Sequence, residues 1–267
     1  VAHETRAYDD RVILTRLRRH PLPIRSEFEL TLVLTYALPA PVLEPLLLPG
    51  LTLDRFGDVG FVAVALVQTR NLRPAFLPKQ LGLDFFLGGY RIFTRYRTEG
   101  RELRGLQILR SQTDSRIMTF FGNLLTHYNY RRAAVEVTKS EERLAIAIHG
   151  TEPHSDLEVV ANLAEETTLP ATSVFSDWKT ARRFAGPLPF TFDHEAETNS
   201  IVRIEGVRQK WMPRPVNVDV KRMDFFGQPA FASATPLLAS AFYLADVPYL
   251  WRQGVLAPLD EEERAHG

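Results

Sequence analysis

The chain has no cysteine among its 267 residues, which removes disulfides, thiolate catalysis and cysteine-ligated zinc or iron–sulfur sites. Lysine is scarce as well: Lys79, Lys139, Lys179, Lys210 and Lys221 are the only five. Amine chemistry therefore has few starting points. Net charge is also missing, since 32 basic residues balance 32 acidic ones. No whole-chain field draws in DNA, RNA or an anionic bilayer, so neither nucleic acid nor membrane is expected as a partner. The apolar run "VGFVAVALV" at 59–67 is far too short to cross a bilayer of about 30 Å. Residues 1–20 are charged and carry no signal-peptide pattern. These absences lead us to expect a soluble, cytoplasmic protein, with self-association left open.

What is present is ordinary globular composition, 45% apolar and 24% charged, enough to bury a sizeable core. We expect one domain over 1–267, with 1–10 and 258–267 frayed and 151–190 a loop and helix excursion. "SEFELTLVLTYAL" alternates, with Phe28, Leu30, Leu32, Leu34 and Tyr36 on one face, as a strand does. In "VGFVAVALV" both faces are apolar, so a central strand covered on both sides is expected. It is read as the second arm of a hairpin turning at Gly57-Asp58. Another hairpin turns at Glu99-Gly100. Pro41 opens a single helical turn. "TDSRIMTFFGNLL" switches to helical spacing, capped by Thr113 or Asp114, and "SDWKTARRFAG" reads as a short helix stopped at Gly186. Strands follow in "YNYRRAAVEV" and "ERLAIAIHG", joined by a charged turn around Lys139-Ser140, and later in "NSIVRIEGVRQKW" and "VNVDVKRMDFF". "TPLLASAFYLADVPYLWRQG" reads as an amphipathic helix or a pair of turns. Many antiparallel strands with few short helices point to an α+β fold, a mostly antiparallel β-barrel or cone with a central cavity.

The blocks "LLLPGLTLDRFGDVGFVAVALV", "GGYRIFTRYR", "LRGLQILRSQTDSRIM", "GNLLTHYNYR" and "FYLADVPYLW" lie in one order over about residues 20–255. In this the chain resembles the YqjF-like family of uncharacterised bacterial proteins, a domain-of-unknown-function family in the acetoacetate decarboxylase-like superfamily. The decarboxylases carry a segment in which one lysine forms a Schiff base with a β-keto acid and a second lysine lowers its pKa. Laid on that segment from its glycine, "GNLLTHYNYR" puts Tyr128 on a tyrosine and Asn129 on a proline. Tyr130 then falls on the imine-forming lysine and Arg131 on its neighbour. Arg25 falls on an early pocket arginine. The decarboxylase glutamate has no acidic counterpart, and the alignment drifts there across Gly89 to Arg91. A phenol cannot form an iminium, and no lysine lies near the matching position; Lys221, in a late strand, is a long shot. The resemblance thus implies the fold without its Schiff-base chemistry.

The remaining groups suggest a pocket for a small anionic ligand. Arg25, Arg91 and Arg131 would serve as guanidinium clamps for a carboxylate. Tyr130 would act as acid or oxyanion donor, with Tyr128 beside it. His127, four residues after Asn123, would be oriented by it as acid or base if the helix continues. Strand parity argues against part of this. Tyr128 and Tyr130 share one face while Asn129 and Arg131 share the other, so Tyr130 and Arg131 cannot both face a cavity without a bulge. His149, His154 and Asp156 match no metal-ligand spacing, and no nucleotide fingerprint is present, so neither metal nor cofactor is implied. The expected function is an enzyme acting on a carboxylate metabolite without an imine. The alternatives are a non-catalytic binder using the same cavity, or an interaction module whose apolar stretch Phe242 to Trp251 docks a partner. Tyr249 and Trp251 are equally well explained as a lid over one end of the barrel.

Overall fold

A computed structural model describes residues 16–98, 100–164, 167–186 and 188–259. Its strands are β1 (Ile24–Pro39), β2 (Leu51–Leu53), β3 (Val59–Pro74), β4 (Leu83–Thr98), β5 (Arg101–Thr113), β6 (Tyr130–Lys139), β7 (Arg143–Gly150), β8 (Leu157–Asn162), β9 (Phe190–Glu195), β10 (Ser200–Arg208), β11 (Arg214–Pro215), β12 (Asn217–Met223), β13 (Leu237–Trp251) and β14 (Val255–Pro258). Three short α-helices accompany them: α1 (Ala40–Leu43), α2 (Arg116–Leu125) and α3 (Trp178–Ala185).

Seven strands close a ring in the order β5-β9-β10-β13-β1-β3-β4 and back to β5. The ring is mostly antiparallel, but β5 runs parallel to β9 and to β6. It is not a clean barrel, because one edge of β5 is shared. Gly105–Gln107 pair with β9 and close the ring, whereas Ser111–Thr113 pair with β6. From β6 a second branch leads away through β7, β8 and β12. Joining β5 to a parallel β6 demands a crossover, and α2 is that crossover. It is capped by Ser115, whose Oγ accepts from Met118 N at 3.2 Å, one residue past the expected Asp114.

Two large apolar cores result, beside a smaller cluster of Leu51, Tyr96, Phe192, Ile201 and Leu259. Inside the ring sit Phe28, Val33, Ala65, Val67, Phe85, Leu87 and their neighbours. The other core lies between the ring's outer face and the second branch, where Leu30, Leu32, Leu34 and Tyr36 meet Leu144, Ile146, Ile148, Leu157 and Val159. The stripe Phe28-Leu30-Leu32-Leu34-Tyr36 is therefore split. A register shift between Phe28 and Leu30 in the β1–β3 pairing turns Phe28 inward and the rest outward, as a bulge does. β3 is central and buried on both faces, as its run of apolar residues implies.

Four expectations need correction. Residues 237–251 form no helix; they are β13, hydrogen-bonded to β1 from Leu237 to Trp251. Its residues feed both cores (Ala241 and Tyr243 outside, Phe242, Leu244 and Val247 inside), and burial of both faces erases the alternation that marks a strand. That also removes the free apolar face on which an interaction module would rest. Gly57-Asp58 is a tight turn, but only Phe56 and Val59 bridge across it; β2 itself pairs with β4, not with β3. The 151–190 excursion contains a true strand, β8. Of the segments read as frayed, 1–10 and 260–267 lie outside the described residues, while Leu259 is buried. Glu99 of the second hairpin turn also lies outside them; Gly100 takes the left-handed conformation, φ 71°, that a tight turn needs.

One end of the ring is sealed by an aromatic floor. Phe61 stacks on Phe175 at 5.3 Å and meets Phe93 and Phe184. A buried carboxylate anchors this floor. Asp54 accepts from Arg95 Nε at 2.6 Å and Arg104 Nε at 2.7 Å, and Arg104 also donates to the Phe184 carbonyl at 2.9 Å. One carboxylate thus ties β4 and β5 to α3. Removing it takes the buried partner from two partly exposed guanidiniums and leaves Arg95 only Glu102 and Arg104 only the Phe184 carbonyl, so Asp54→Ala should lower unfolding free energy by about 3 kcal/mol, read as a lower urea midpoint at unchanged slope.

Candidate functional site: a chamber of donors inside the ring

Above the floor the ring encloses a cavity of about 440 Å³. Its β4 wall is the inward-facing series Leu83, Phe85, Leu87, Gly89, Arg91, where period-2 alternation puts every second residue on one face; all but the glycine are among the lining residues. β1 adds Ile24, Phe28, Thr31 and Val33, and β3 adds Ala65, Val67, Thr69, Leu72 and Pro74. α2 forms another wall with Ile117, Met118, Phe121, Gly122 and Leu125, the i, i+1, i+4 spacing of one helix face. The cavity opens where Leu22, Leu81, Ile117 and Phe121, all lining residues, are exposed to solvent.

Polar groups gather deep in the chamber. Arg91 belongs to no ion pair or hydrogen bond among the described residues, and its Nε is buried without an acceptor. Burial lowers its hold on its proton, an effect opposed by the phenols of Tyr249, Tyr130 and Tyr128 and reinforced by Arg208. Arg208, at the end of β10, lies over the rings of Trp211 at 5.0 Å and Tyr249 at 5.2 Å. It donates to the Leu188 carbonyl at 2.7 Å and to Tyr249 Oη at 3.2 Å. Arg208 Nε and Trp211 Nε1 are again buried and unpaired. No acidic side chain lines the cavity. The unmatched guanidinium and indole N–H groups can only donate; the hydroxyls of Tyr128, Thr31 and Thr69 and Nδ1 of His20, also buried without a partner in the lining, carry no charge to meet them.

Two glycines seat this cluster. A Cβ on Gly89 would stand 2.9 Å from an Arg91 terminal nitrogen and 3.0 Å from its Nε, so the guanidinium lies back over a bare stretch of β4 toward the opening. A Cβ on Gly122 would stand 2.4 Å from the Tyr130 ring, which packs flat on the helix. Asn123 fixes the same tyrosine from its backbone: its amide donates to Tyr130 O at 3.0 Å and accepts from Tyr130 N at 2.7 Å. Asn129 takes a left-handed conformation, φ 50°, which Asn tolerates better than most residues. Burial pushes the Tyr130 phenol up to about 12, with Arg91 pulling the other way. Tyr128 is raised well above its ordinary value, first by burial and then by Tyr130 and Asp193, with the Thr191 hydroxyl opposing. Both phenols are hydrogen-bond donors at neutral pH.

Of the sequence candidates, Tyr130, Tyr128 and Arg91 line the chamber together. Arg131 does not: parity sends it outward, where its guanidinium meets Glu152 at 2.5 Å. Arg25 is exposed on β1, outside the cavity. Asn123 orients Tyr130 rather than His127, because α2 stops at Leu125 and Thr126 is extended. His127 instead turns to Asp193, 3.1 Å from its Oδ2. None of the five lysines lines the cavity, and Lys221 pairs with Asp219 on β12. Sequence reasoning missed Arg208, Trp211 and His20. Burial pulls His20 down to about 4, so its imidazole is neutral. No local motif marks these three; only the pairing of β10 with β13 brings Arg208 opposite Tyr249.

A family model of uncharacterised conserved proteins, DUF2071, matches residues 25–247. The chain belongs to that family. No curated protein matches it. Solved structures place this DUF2071 protein in the acetoacetate decarboxylase-like fold. It is similar to acetoacetate decarboxylase of Legionella pneumophila, with TM-score 0.61 and 11% identity over 89% of this chain and 88% of that one. It is similar too to the enduracididine biosynthesis enzyme MppR, solved with a condensation product of pyruvate and imidazole 4-carboxaldehyde (0.59, 12%, 88% of each chain). A third is an acetoacetate decarboxylase-like enzyme of Sphingomonas wittichii RW1 (0.56, 12%, 91% and 95%). At such identities the likeness is one of fold.

Two tests address the seat of Tyr130. Alanine normally favours a helix over glycine by about 1 kcal/mol, but Gly122→Ala drives a methyl into the tyrosine ring. The DUF2071 variant should therefore lose about 1–3 kcal/mol and change its near-UV circular dichroism. The phenol also sets an alkaline limit. Below pH 10 it is protonated in folded and unfolded chains alike; between 10 and about 12 only the unfolded chain releases its proton. Stability should fall through that window by roughly 2–3 kcal/mol on this account, and Tyr130→Phe should fall less steeply in urea titrations at pH 9 and 11.

Proposed function

We propose that the chamber holds a small organic carboxylate against Arg91, and that the protein acts on this ligand by stabilising negative charge on oxygen, without forming an imine. One observation carries the reading: the interior presents buried N–H donors, two of them on guanidiniums, and no acid to meet them. An unpaired buried cation is costly, and an anionic ligand with several acceptor oxygens removes that cost. Arg91 would supply the counter-charge. Tyr130 and Tyr128, held protonated by burial, would donate to an oxygen that gains charge. Lysine takes no part, since none faces the cavity.

A second reading, carriage of the ligand without reaction, draws on the titrating groups of the wall. His20 sits at about 4 and Tyr130 at about 12, so neither exchanges protons near neutrality, where general acid–base catalysis works best. Following a panel of 2- and 3-keto acids by NMR with the protein present separates the two: turnover supports the enzyme, and unchanged spectra with saturable binding support the carrier.

Arg91 gives the decisive variant because its two expected effects have opposite signs. Arg91→Met removes an unpaired buried charge, so the ligand-free protein should melt higher by a few degrees. The same change should abolish the thermal shift that acetoacetate, pyruvate or butanoate gives the wild type. Arg25→Ala and Arg131→Ala should keep that shift. Borohydride should trap no keto-acid adduct; a covalent adduct on any lysine would falsify the imine-free reading.

A further inference from the structure

The proposed carboxylate site leaves most of the chamber unexplained, because a two- or three-carbon acid would occupy only the surroundings of Arg91. From Arg91 back to Leu83, β4 runs eight residues, roughly 26 Å along the strand at about 3.3 Å each, and less along the ring axis because strands of such rings tilt. Over that length the inward side chains of β4 are Gly89, Leu87, Phe85 and Leu83, with no polar group among them. The facing walls of β1 and β3 are apolar apart from the hydroxyls of Thr31 and Thr69. The stripe does not stop at the protein surface. It continues into Leu22, Leu81, Ile117 and Phe121, which line the opening with 39–63% of their surface exposed. Beyond Arg91 the way is blocked by Phe93, packed on Phe61 at 5.7 Å.

Charge at the closed end, an unbroken apolar wall and an apolar mouth fix an orientation as well as a class. We infer that the ligand is an amphipathic monocarboxylate with an extended alkyl tail, entering head first, with its carboxylate on Arg91 and its tail running out along β4 to the rim. The inference rests on the carboxylate reading above and adds chain length and direction to it. The reverse orientation would bury an alkyl end against a guanidinium and leave the carboxylate among leucines. Leu22, Leu81, Ile117 and Phe121 then have a purpose that solvent exposure alone denies them: they cover the last carbons of the tail. The seat of Arg91 fits the same picture, since the bare backbone of Gly89 lets the guanidinium lean toward the opening and meet the head group on its way in.

The test is calorimetric titration of the full chain with butanoate, hexanoate, octanoate, decanoate and dodecanoate below their micelle concentrations. Alkanols of equal length and the variants Arg91→Met, Ile117→Ser and Phe121→Ser serve as controls. Affinity should rise about fourfold per added methylene, the equivalent of ~0.8 kcal/mol, until the chain reaches the rim. Alkanols and Arg91→Met should lose the head-group contribution at every length. The two exposed rim variants should weaken decanoate and dodecanoate several-fold and leave butanoate unchanged. Arg91-dependent binding of butanoate with no gain along the series overturns this inference and leaves the carboxylate reading standing. A full chain-length gain that persists in alkanols and in Arg91→Met overturns head-first entry and the carboxylate reading together. Failure of every acid to bind overturns both.

Discussion

The molecule is organised around a charge without a partner. Elsewhere, buried carboxylates are matched: Asp54 holds two arginines and Glu195 accepts from Arg19 at 2.6 and 2.8 Å. Inside the ring the matching fails. Arg91 faces three phenols and another guanidinium, and burial keeps two of those phenols, Tyr128 and Tyr130, protonated. A folded protein tolerates such a group only if other packing over-determines it or a ligand completes it. The first condition is met in the structure. The ring supplies the packing, with a core inside and a second core outside, so that β1, β3 and β4 stay in register whether or not the cavity is filled.

The same constraint explains where glycine is used. The polar end needs long side chains laid flat against backbone, and Gly89 and Gly122 are the positions where a Cβ would forbid it. Gly206 does the same for the Tyr249 hydroxyl, which a Cβ would overlap. Arginine, tyrosine and tyrosine are thus seated from three elements (β4, α2 and β10) by the absence of a side chain. The crossover from β5 to β6 adds the last part. Because α2 must pass over the ring to reach a parallel strand, it brings an apolar face to the chamber and leaves Ile117 and Phe121 at its opening.

Part of this was legible in the sequence. Alternation and turn residues pointed to the β-rich fold, and the chain's resemblance pointed to its uncharacterised family and to the decarboxylase-like fold. Parity in "THYNYRR" put Tyr128 and Tyr130 on one face and Arg131 on the other, as they stand in the structure. Arg91 was a candidate, yet nothing local distinguished it from Arg25 or Arg131, because an arginine's ion-pair partners come from strands remote in sequence. β13 was misread for a physical reason: a strand buried on both faces has no polar side to alternate with, so Ala, Leu and Phe at 237–245 carry the composition of a helix. Arg208 and Trp211 were illegible because their role depends on which strand lies beside β10. A bulge in β1 redirected Phe28 into the chamber and its companions out of it, and a one-residue shift of that kind leaves no mark on hydropathy.

The fold and the chemistry can be separated on these grounds. In this chain the decarboxylase-like ring comes with a closed floor, a crossover helix and an enclosed volume. What the ring does with them depends on the residue placed where β6 begins and on the wall of β4 opposite. In this chain the first is a phenol packed on glycine and the second is an arginine at the foot of an apolar stripe. A phenol that titrates near 12 gives up no proton to a base of ordinary strength and cannot attack a carbonyl at neutral pH; what it offers is a hydrogen bond. A guanidinium is still less able to act as a nucleophile. On the proposed reading the site would work through charge and shape, and the length of its apolar wall would bear on specificity more than any group with reactive chemistry.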